Sequence, residues 1–289
     1  MIPNIFHFIN IGPREFNMMH FLAIYTAKQL NNPDAIYVYV DHEQQNNIYW
    51  NILKDLGVNF TFIEAPTEHK GVKLDTYQYK ADIIRMEKLI EHGGIYMDLD
   101  VLSLKSLSKF RQYKVVLGSE KSNDPESYDI NDFASITNAI IMCEPDNQYI
   151  KDWYDQIGEN LVDKPWAYHA VCLPKDILIS GTYDVHLEKT NTFMPFCFRN
   201  PYVWSENNML PDDAYTIHLW ETIWNKEYIS KLNIGYFKKN TVFAQLFRDY
   251  ISIFDDYVSV IRNMIRIETN VGKRDMYYDM LRHILLGKN

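Results

Sequence analysis

The stretch Lys80-Ala-Asp-Ile-Ile-Arg-Met-Glu-Lys-Leu-Ile-Glu-His-Gly-Gly-Ile-Tyr-Met-Asp-Leu-Asp-Val-Leu-Ser-Leu-Lys-Ser-Leu107 decides the reading of this chain. It joins a helix, a Gly93-Gly94 turn, a buried strand and an acid-x-acid pair in one unit. The strand Ile95-Tyr96-Met97 is apolar but runs into Asp98 and Asp100. Two carboxylates at the end of a hydrophobic strand repel one another unless positive charge sits between them. A divalent cation carrying a diphosphate satisfies that requirement. Residues two apart on a regular strand share a face, so both acids would reach one ion. A solvated strand-end turn is the plain alternative, and the preceding helix argues against it. On that helix Asp82 and Arg85 are i and i+3 and share a face. They read either as a surface ion pair or as a carboxylate and guanidinium facing the same pocket. Tyr96 stands two residues before Asp98 and faces the same way.

Outward from this unit, the N-terminal segment alternates strand and helix. Strands are expected over 2–11, 35–40 and 58–63, and helices over 16–30 and 48–56. A β-α-β-α-β order predicts a mainly parallel α/β sheet flanked by helices, with ligands at the carboxyl ends of its strands. Asn10, Asp41, Asp98 and Asp100 fall at such ends. The helix over 79–92 closes on Gly93-Gly94. A Leu-rich turn follows (Leu102, Leu104, Leu107), then a strand over 115–117, a polar loop over 119–133, a strand over 136–142 and an amphipathic helix over 147–158. Residues 162–211 show no clear period. A short strand over 215–219 leads into His218-Leu219-Trp220, and 242–286 turns helical. The expected organisation is one catalytic domain, 1–241, with a C-terminal helical extension, 242–289.

Bulk properties limit the partners. The 289 residues are 47% hydrophobic and 15% aromatic with 21 Tyr, which supplies a large core and leaves rings for a cleft that binds sugars or bases. The net charge of −9 and the lack of a basic run argue against nucleic acid. Cys143, Cys172 and Cys197 are far apart and form neither a disulfide framework nor a zinc cluster. No signal peptide or 18-residue apolar run is present, so a reducing, cytoplasmic setting is expected. Arg262, Arg266, Lys273, Arg274, Arg282 and Lys288 could touch an anionic membrane, although a packed helical cap with a solvated face fits them better.

The central segment resembles the DXD-containing glycosyltransferase family 32, which itself looks related to the glucosylating domains of large clostridial toxins. The resemblance rests on Ala81-Asp82-Ile83-Ile84-Arg85 and Gly93-Gly94-Ile95-Tyr96-Met97-Asp98-Leu99-Asp100. Weaker matches flank it: Ile2-Pro3-Asn4-Ile5-Phe6-His7, Asn138-Ala139-Ile140-Ile141, and Ile217-His218-Leu219-Trp220 with Trp224 beyond.

The resemblance implies a GT-A fold, a UDP- or GDP-sugar donor, Mn²⁺ or Mg²⁺, and retention of anomeric configuration on transfer to a glycan or protein-linked sugar. Asp82 and Arg85 would hold the donor sugar. Asp98 would contact ribose and metal, Asp100 would ligate the metal, and His218 would sit by metal or diphosphate. Tyr96 would pack on the nucleotide, Trp220 would touch the diphosphate or its sugar, and Asn138 would border donor and acceptor. The family often carries Trp near the end of its first strand, next to the base. Here Phe8-Ile9-Asn10-Ile11-Gly12 places Ile9 and Asn10 there.

Two other readings compete. Asp98 could be the nucleophile of a haloacid-dehalogenase-type phosphatase, or the chain could bind carbohydrate without catalysis. No carboxylate stands out as a glycosyl nucleophile, which favours same-face attack assisted by the leaving diphosphate.

Overall fold

The structure is a computed structural model and describes residues 1–122, 124–162, 164–196, 202–206 and 209–287. Its strands are β1 (Ile5–Asn10), β2 (Ala35–Val40), β3 (Asn59–Phe62), the small hairpin of β4 (Glu68–His69) and β5 (Val72–Lys73), β6 (Gly94–Met97), β7 (Val101–Ser103), β8 (Val115–Ser122), β9 (Phe133–Ile136), β10 (Ile140–Cys143), β11 (His186–Glu188) and β12 (Thr216–His218). Its helices are α1 (Met18–Asn31), α2 (Ile48–Asp55), α3 (Tyr77–His92), α4 (Gln148–Ile157), α5 (Leu173–Ser180), α6 (Thr190–Phe193), α7 (Lys226–Ile229), α8 (Val242–Phe247), α9 (Ile253–Ile267) and α10 (Val271–Leu286).

The central sheet runs β11-β8-β10-β6-β1-β2-β3, with β9 paired to β8. Strands β3, β2, β1 and β6 are mutually parallel, and β11 is parallel to β8. β10 runs antiparallel to both of its neighbours. This is the expected mainly parallel α/β sheet, packed with helices on both faces. One core layer gathers Phe6, Phe8, Phe21, Trp50 and Met97; the other gathers Ile9, Ile83, Met86, Tyr96 and Trp153.

The order of strands places the cleft. The chain leaves β1 toward β2 on one side and returns to β6 on the other, which opens a crevice above the carboxyl ends of β1 and β6. Because β10 is reversed, its entry lies beside the exit of β6, and the Asp98 N–H donates to Ala139 O at 2.9 Å. That reversal delivers Asn138 to the acid pair. Gly93 and Gly94 adopt φ 61 and 101, and a Cβ on Gly94 would lie 2.5 Å from Ile5 O. Only glycine lets β6 approach β1 in this conformation.

Several segments differ from the sequence expectation. The Leu-rich turn contains β7, which leaves the main sheet and pairs with β12, His218 opposite Val101. The presumed loop over 119–133 is occupied at both ends, since β8 continues to Ser122 and β9 begins at Phe133. The strand expected over 136–142 is two strands broken at Thr137–Ala139. The aperiodic middle contains α5, α6 and β11. The C-terminal helices close on the N-terminal ones: the Phe254 ring lies 4.8 Å from that of Phe21, and Tyr49 Oη donates to His283 O at 3.1 Å. Among the described residues, no helix is long and apolar enough to cross a membrane. Cys143 and Cys172 are free thiols, and Cys197 and Lys288 lie outside the described residues.

Candidate active site

Arg85 organises one half of the site. It projects from α3, is 4% exposed, and its guanidinium lies 4.2 Å over the Tyr96 ring. Its Nη2 reaches Asp82 Oδ1 at 3.1 Å and Asp98 Oδ1 at 3.2 Å, and its Nη1 donates to Asn138 O at 2.5 Å. The Asp82–Arg85 pair is therefore buried rather than superficial, which corrects the surface alternative. Burial opposes the charge on Arg85, but Tyr96, Asp98 and Asp82 hold its pKa above the ordinary value. Its Nε is buried and has no hydrogen-bond partner among the described residues.

Asp82 is braced on both oxygens. Oδ1 accepts from Asn138 Nδ2 at 3.2 Å and Oδ2 lies 2.8 Å from His169 Nε2. His169 was not found from the sequence. It lies in the aperiodic stretch, and a π-helical turn, Tyr168–Cys172, presents it.

Asp98 and Asp100 do not ride on a regular strand. They follow β6 in a tight turn closed by Val101 N–H to Asp98 O at 3.0 Å. Asp98 turns toward Arg85 and Tyr96, whose hydroxyl donates to Asp98 Oδ1. Asp100 turns toward the other half of the site. Its Oδ1 lies 3.2 Å from His218 Nε2 and its Oδ2 accepts the Glu221 N–H at 2.8 Å. Oxygens of Asp98 and Asp100 and a ring nitrogen of His218 lie within 4.8 Å of one another. The β7–β12 pair achieves this convergence, not the two-residue strand period.

The two acids are electrically unlike. Burial pushes the Asp98 carboxyl up, with Arg85 opposing. Burial acts the same way on Asp100, but His218 and the Glu221 N–H outweigh it and hold Asp100 well below the usual carboxylate range. His218 is desolvated, yet Asp100 raises its pKa. Its Nδ1 is buried without a hydrogen-bond partner among the described residues. Glu120, on β8, was also missed from the sequence. Burial raises its pKa, and His218 and Asp98 are close enough to act on it.

Trp220 is buried, with its ring 4.3 Å from that of His218 and its backbone left-handed at φ 44. The next carboxylate, Glu221, reaches His20 Nε2 at 2.9 Å, Asn17 Nδ2 at 2.8 Å and Arg14 Nη1 at 3.3 Å. The side chain of Trp224 lies outside the described residues.

The remaining expected donor contacts do not present free polar atoms. Ile9 is 5% exposed within the second core layer. Asn10 is fully buried; its Nδ2 donates to Arg14 O at 3.2 Å and its Oδ1 accepts from Arg14 Nε at 3.1 Å. The Tyr96 ring lies beneath Arg85. The half-exposed ring beside the end of β1 is that of Tyr77, packed so closely on Gly12 that a Cβ there would meet it at 2.8 Å.

The chain is similar in part to several known proteins. Residues 21–123 match the family model of the glycosyltransferase sugar-binding region containing a DXD motif. That region holds Asp82, Arg85, Asp98 and Asp100. The chain is 26% identical over 239 residues, 80% of its length, to Glucan organizing enzyme 1 of Cryptococcus neoformans var. grubii serotype A, strain H99, and spans 63% of that protein's length. It is also similar to two solved structures. One is the PaToxG glycosyltransferase, with 19% identity and a TM-score of 0.44 over 62% of this chain and 69% of that one. The other is an active-site mutant of LgtC, with 14% identity and a TM-score of 0.46 over 78% of this chain and 93% of that one. Residues 21–123 are thus similar to a DXD-containing glycosyltransferase sugar-binding region.

Proposed function

We propose that this protein is a metal-dependent, retaining glycosyltransferase that moves a hexose from a UDP- or GDP-sugar to a hydroxyl of a glycan or protein-linked sugar. Residues 1–241 would form the catalytic unit and 242–289 a helical extension packed on it. The observation that carries the reading is the convergence of Asp98, Asp100 and His218 next to the buried Asp82–Arg85 pair. The family-32 resemblance supports the same assignment.

The donor set fits a hard or borderline divalent cation. Two carboxylates and an imidazole are suitable ligands for Mn²⁺, and carboxylates for Mg²⁺. The orphaned His218 Nδ1 is a buried polar atom that an ion or a diphosphate would satisfy. When bound, the ion supplies Lewis-acid stabilisation of the departing diphosphate. Asp100 is suited to direct ligation because it stays ionised. Arg85 and Asp82 would orient the donor sugar, with the Asp82 carboxylate held rigid by His169 and Asn138.

Asp82 is not suited to covalent attack. Arg85, Asn138 and His169 already engage both of its oxygens, which lowers its nucleophilicity. Same-face attack by the acceptor, with proton transfer to the leaving diphosphate, therefore fits this site better than double displacement. The same logic weighs against a phosphatase using Asp98, whose Oδ1 receives both the Tyr96 hydroxyl and Arg85. The test is a panel of UDP- and GDP-sugars with Mn²⁺, scored for hydrolysis and transfer, beside Asp100→Asn. The variant should fold and lose turnover. Full activity of Asp100→Asn in the presence of a chelator would end this reading.

A further inference from the structure

Trp166 is 57% exposed, an uncommon position for the largest apolar side chain. It is not loose. Its ring lies 5.5 Å from that of Tyr79, tilted by 35°. Tyr79 meets the edge of His169 at 5.2 Å and 84°. His169 Nε2 is 2.8 Å from Asp82 Oδ2. A continuous ladder of side chains thus runs from the buried Asp82 out to a solvent-facing indole.

The backbone beneath the ladder is unusual in two ways. Ala167 holds a left-handed φ of 64, a backbone conformation that a residue with a Cβ adopts only under strain. The turn that follows, Tyr168–Cys172, is π-helical, a form concentrated at functional sites. The first irregularity directly follows Trp166 and the second contains His169, so both lie on the backbone that joins the two rings. In α3 the half-buried Tyr79 precedes the buried Asp82 by about one turn, and Trp166 packs on Tyr79 with 57% of its surface exposed, so it stands on the solvent side of Asp82.

We infer that Trp166 is the platform on which a pyranose ring of the acceptor stacks. The inference rests on the transferase reading above and adds the acceptor subsite to it. The face of a hexose presents C–H groups with slight positive charge, which complement the negative π-face of an indole. A sugar against Asp82 and Arg85 belongs to the donor. The next ring outward, bound through its apolar face, belongs to a glycan that extends into solvent. Tyr79 backs the indole and holds its plane, so little ordering is needed on binding. Tyr168, by contrast, is tied to Asp176 through its hydroxyl at 2.6 Å.

The experiment probes a printed glycan array with the wild-type chain and with Trp166→Ala and Trp166→Phe, each loaded with Mn²⁺ and UDP. The wild type should bind a subset of glycans. Trp166→Ala should bind the same subset about tenfold more weakly, the worth of one aromatic stacking contact, and Trp166→Phe should recover most of the signal. Calorimetry of UDP and Mn²⁺ binding to Trp166→Ala, at wild-type affinity, shows that the variant is folded and its donor site intact. Absence of glycan binding by the wild type, or equal binding by Trp166→Ala, overturns the inference. So does a wild-type dimer in light scattering that Trp166→Ala abolishes, because the ring would then serve self-association. A wild type that binds glycans through Trp166 but turns over no nucleotide-sugar sinks the catalytic reading and leaves the platform standing.

Discussion

The Glu221 N–H donates to Asp100 Oδ2 at 2.8 Å, so the backbone of the β12 exit holds the carboxylate assigned to the cation. Glu221 is itself fixed. His20 in the first turn of α1, Asn17 at its N-cap and Arg14 in the segment before it converge on its carboxylate. Burial alone would raise the Glu221 pKa, but His20 and Arg14 hold it low, so the anchor is ionised at neutral pH. The amino end of α1 thereby sets the orientation of Asp100 from outside the site.

Removing that anchor should loosen the cation site without dissolving the fold. Glu221→Ala is expected to weaken Mn²⁺ binding about 10- to 100-fold, the usual effect of losing a partner that orients a ligand. Calorimetric titration with MnCl₂ measures it. Unchanged affinity would show that Asp100 needs no such support.

Arg85 lies buried between two acids, so deleting it should be severe. Arg85→Ala is expected to cost about 3–5 kcal/mol in chemical denaturation, because Asp82 and Asp98 lose their buried counter-charge. Arg85→Lys keeps the charge but loses the planar fork. That variant should weaken the nucleotide-sugar more than UDP alone, and equal losses would remove Arg85 from the sugar subsite.

The sequence showed this half of the site well because it is local. Asp82, Arg85, Tyr96, Asp98 and Asp100 lie within one helix-turn-strand unit, where spacing translates directly into shared faces. Their environment was less legible. The i, i+3 spacing of Asp82 and Arg85 is the same for a solvated pair and for the buried one found, and burial depends on what packs above. His169, Glu120 and Glu221 reach the site through long-range packing, from a π-helical turn, a strand with a shifted register and a second π-helical turn, Glu221–Asn225. The reversed β10 explains Asn138, since periodicity identifies a strand but not its direction. Asn10 illustrates the converse. It sits at a strand end as expected, yet both ends of its amide are engaged by Arg14, a contact no local pattern reveals.

His7 provides a pH test of the core under the site. It is 1% exposed; its Nε2 donates to Gly93 O at 2.8 Å and its Nδ1 accepts from Tyr39 Oη at 3.0 Å. Burial lowers its pKa from 6.5 to about 4, with His92 and Lys88 adding to the effect while the Gly93 carbonyl and Glu91 oppose it. The unfolded chain therefore takes up the proton first. Stability from this group is complete above pH 6.5 and declines as pH falls toward 4, by about 3 kcal/mol in all. His7→Gln should flatten that part of the stability–pH curve, read by denaturation at pH 7.5 and pH 5. An unaltered slope would place the acid sensitivity elsewhere.

Gly94 tests the close approach that positions the acid pair. Gly94→Ala would place a Cβ 2.5 Å from the Ile5 carbonyl at φ 101, so β6 must part from β1. The expected loss is about 2 kcal/mol or more, with Mn²⁺ affinity falling as Asp98 and Asp100 shift. Gly57→Ala is the control, because its left-handed φ of 81 carries the same backbone strain with nothing within 4 Å of the added carbon. Equal losses for both would assign the effect to φ rather than to strand contact.

The central claim is that one divalent ion joins the acids after β6 to a pyrophosphate. The direct measurement is an anomalous difference map, at the manganese absorption edge, from crystals soaked with MnCl₂ and UDP. The account predicts a single strong peak within coordination distance of the Asp100 carboxylate and of the UDP diphosphate, beside Asp98 and His218. A map with UDP bound elsewhere, or with no peak between these side chains, contradicts it.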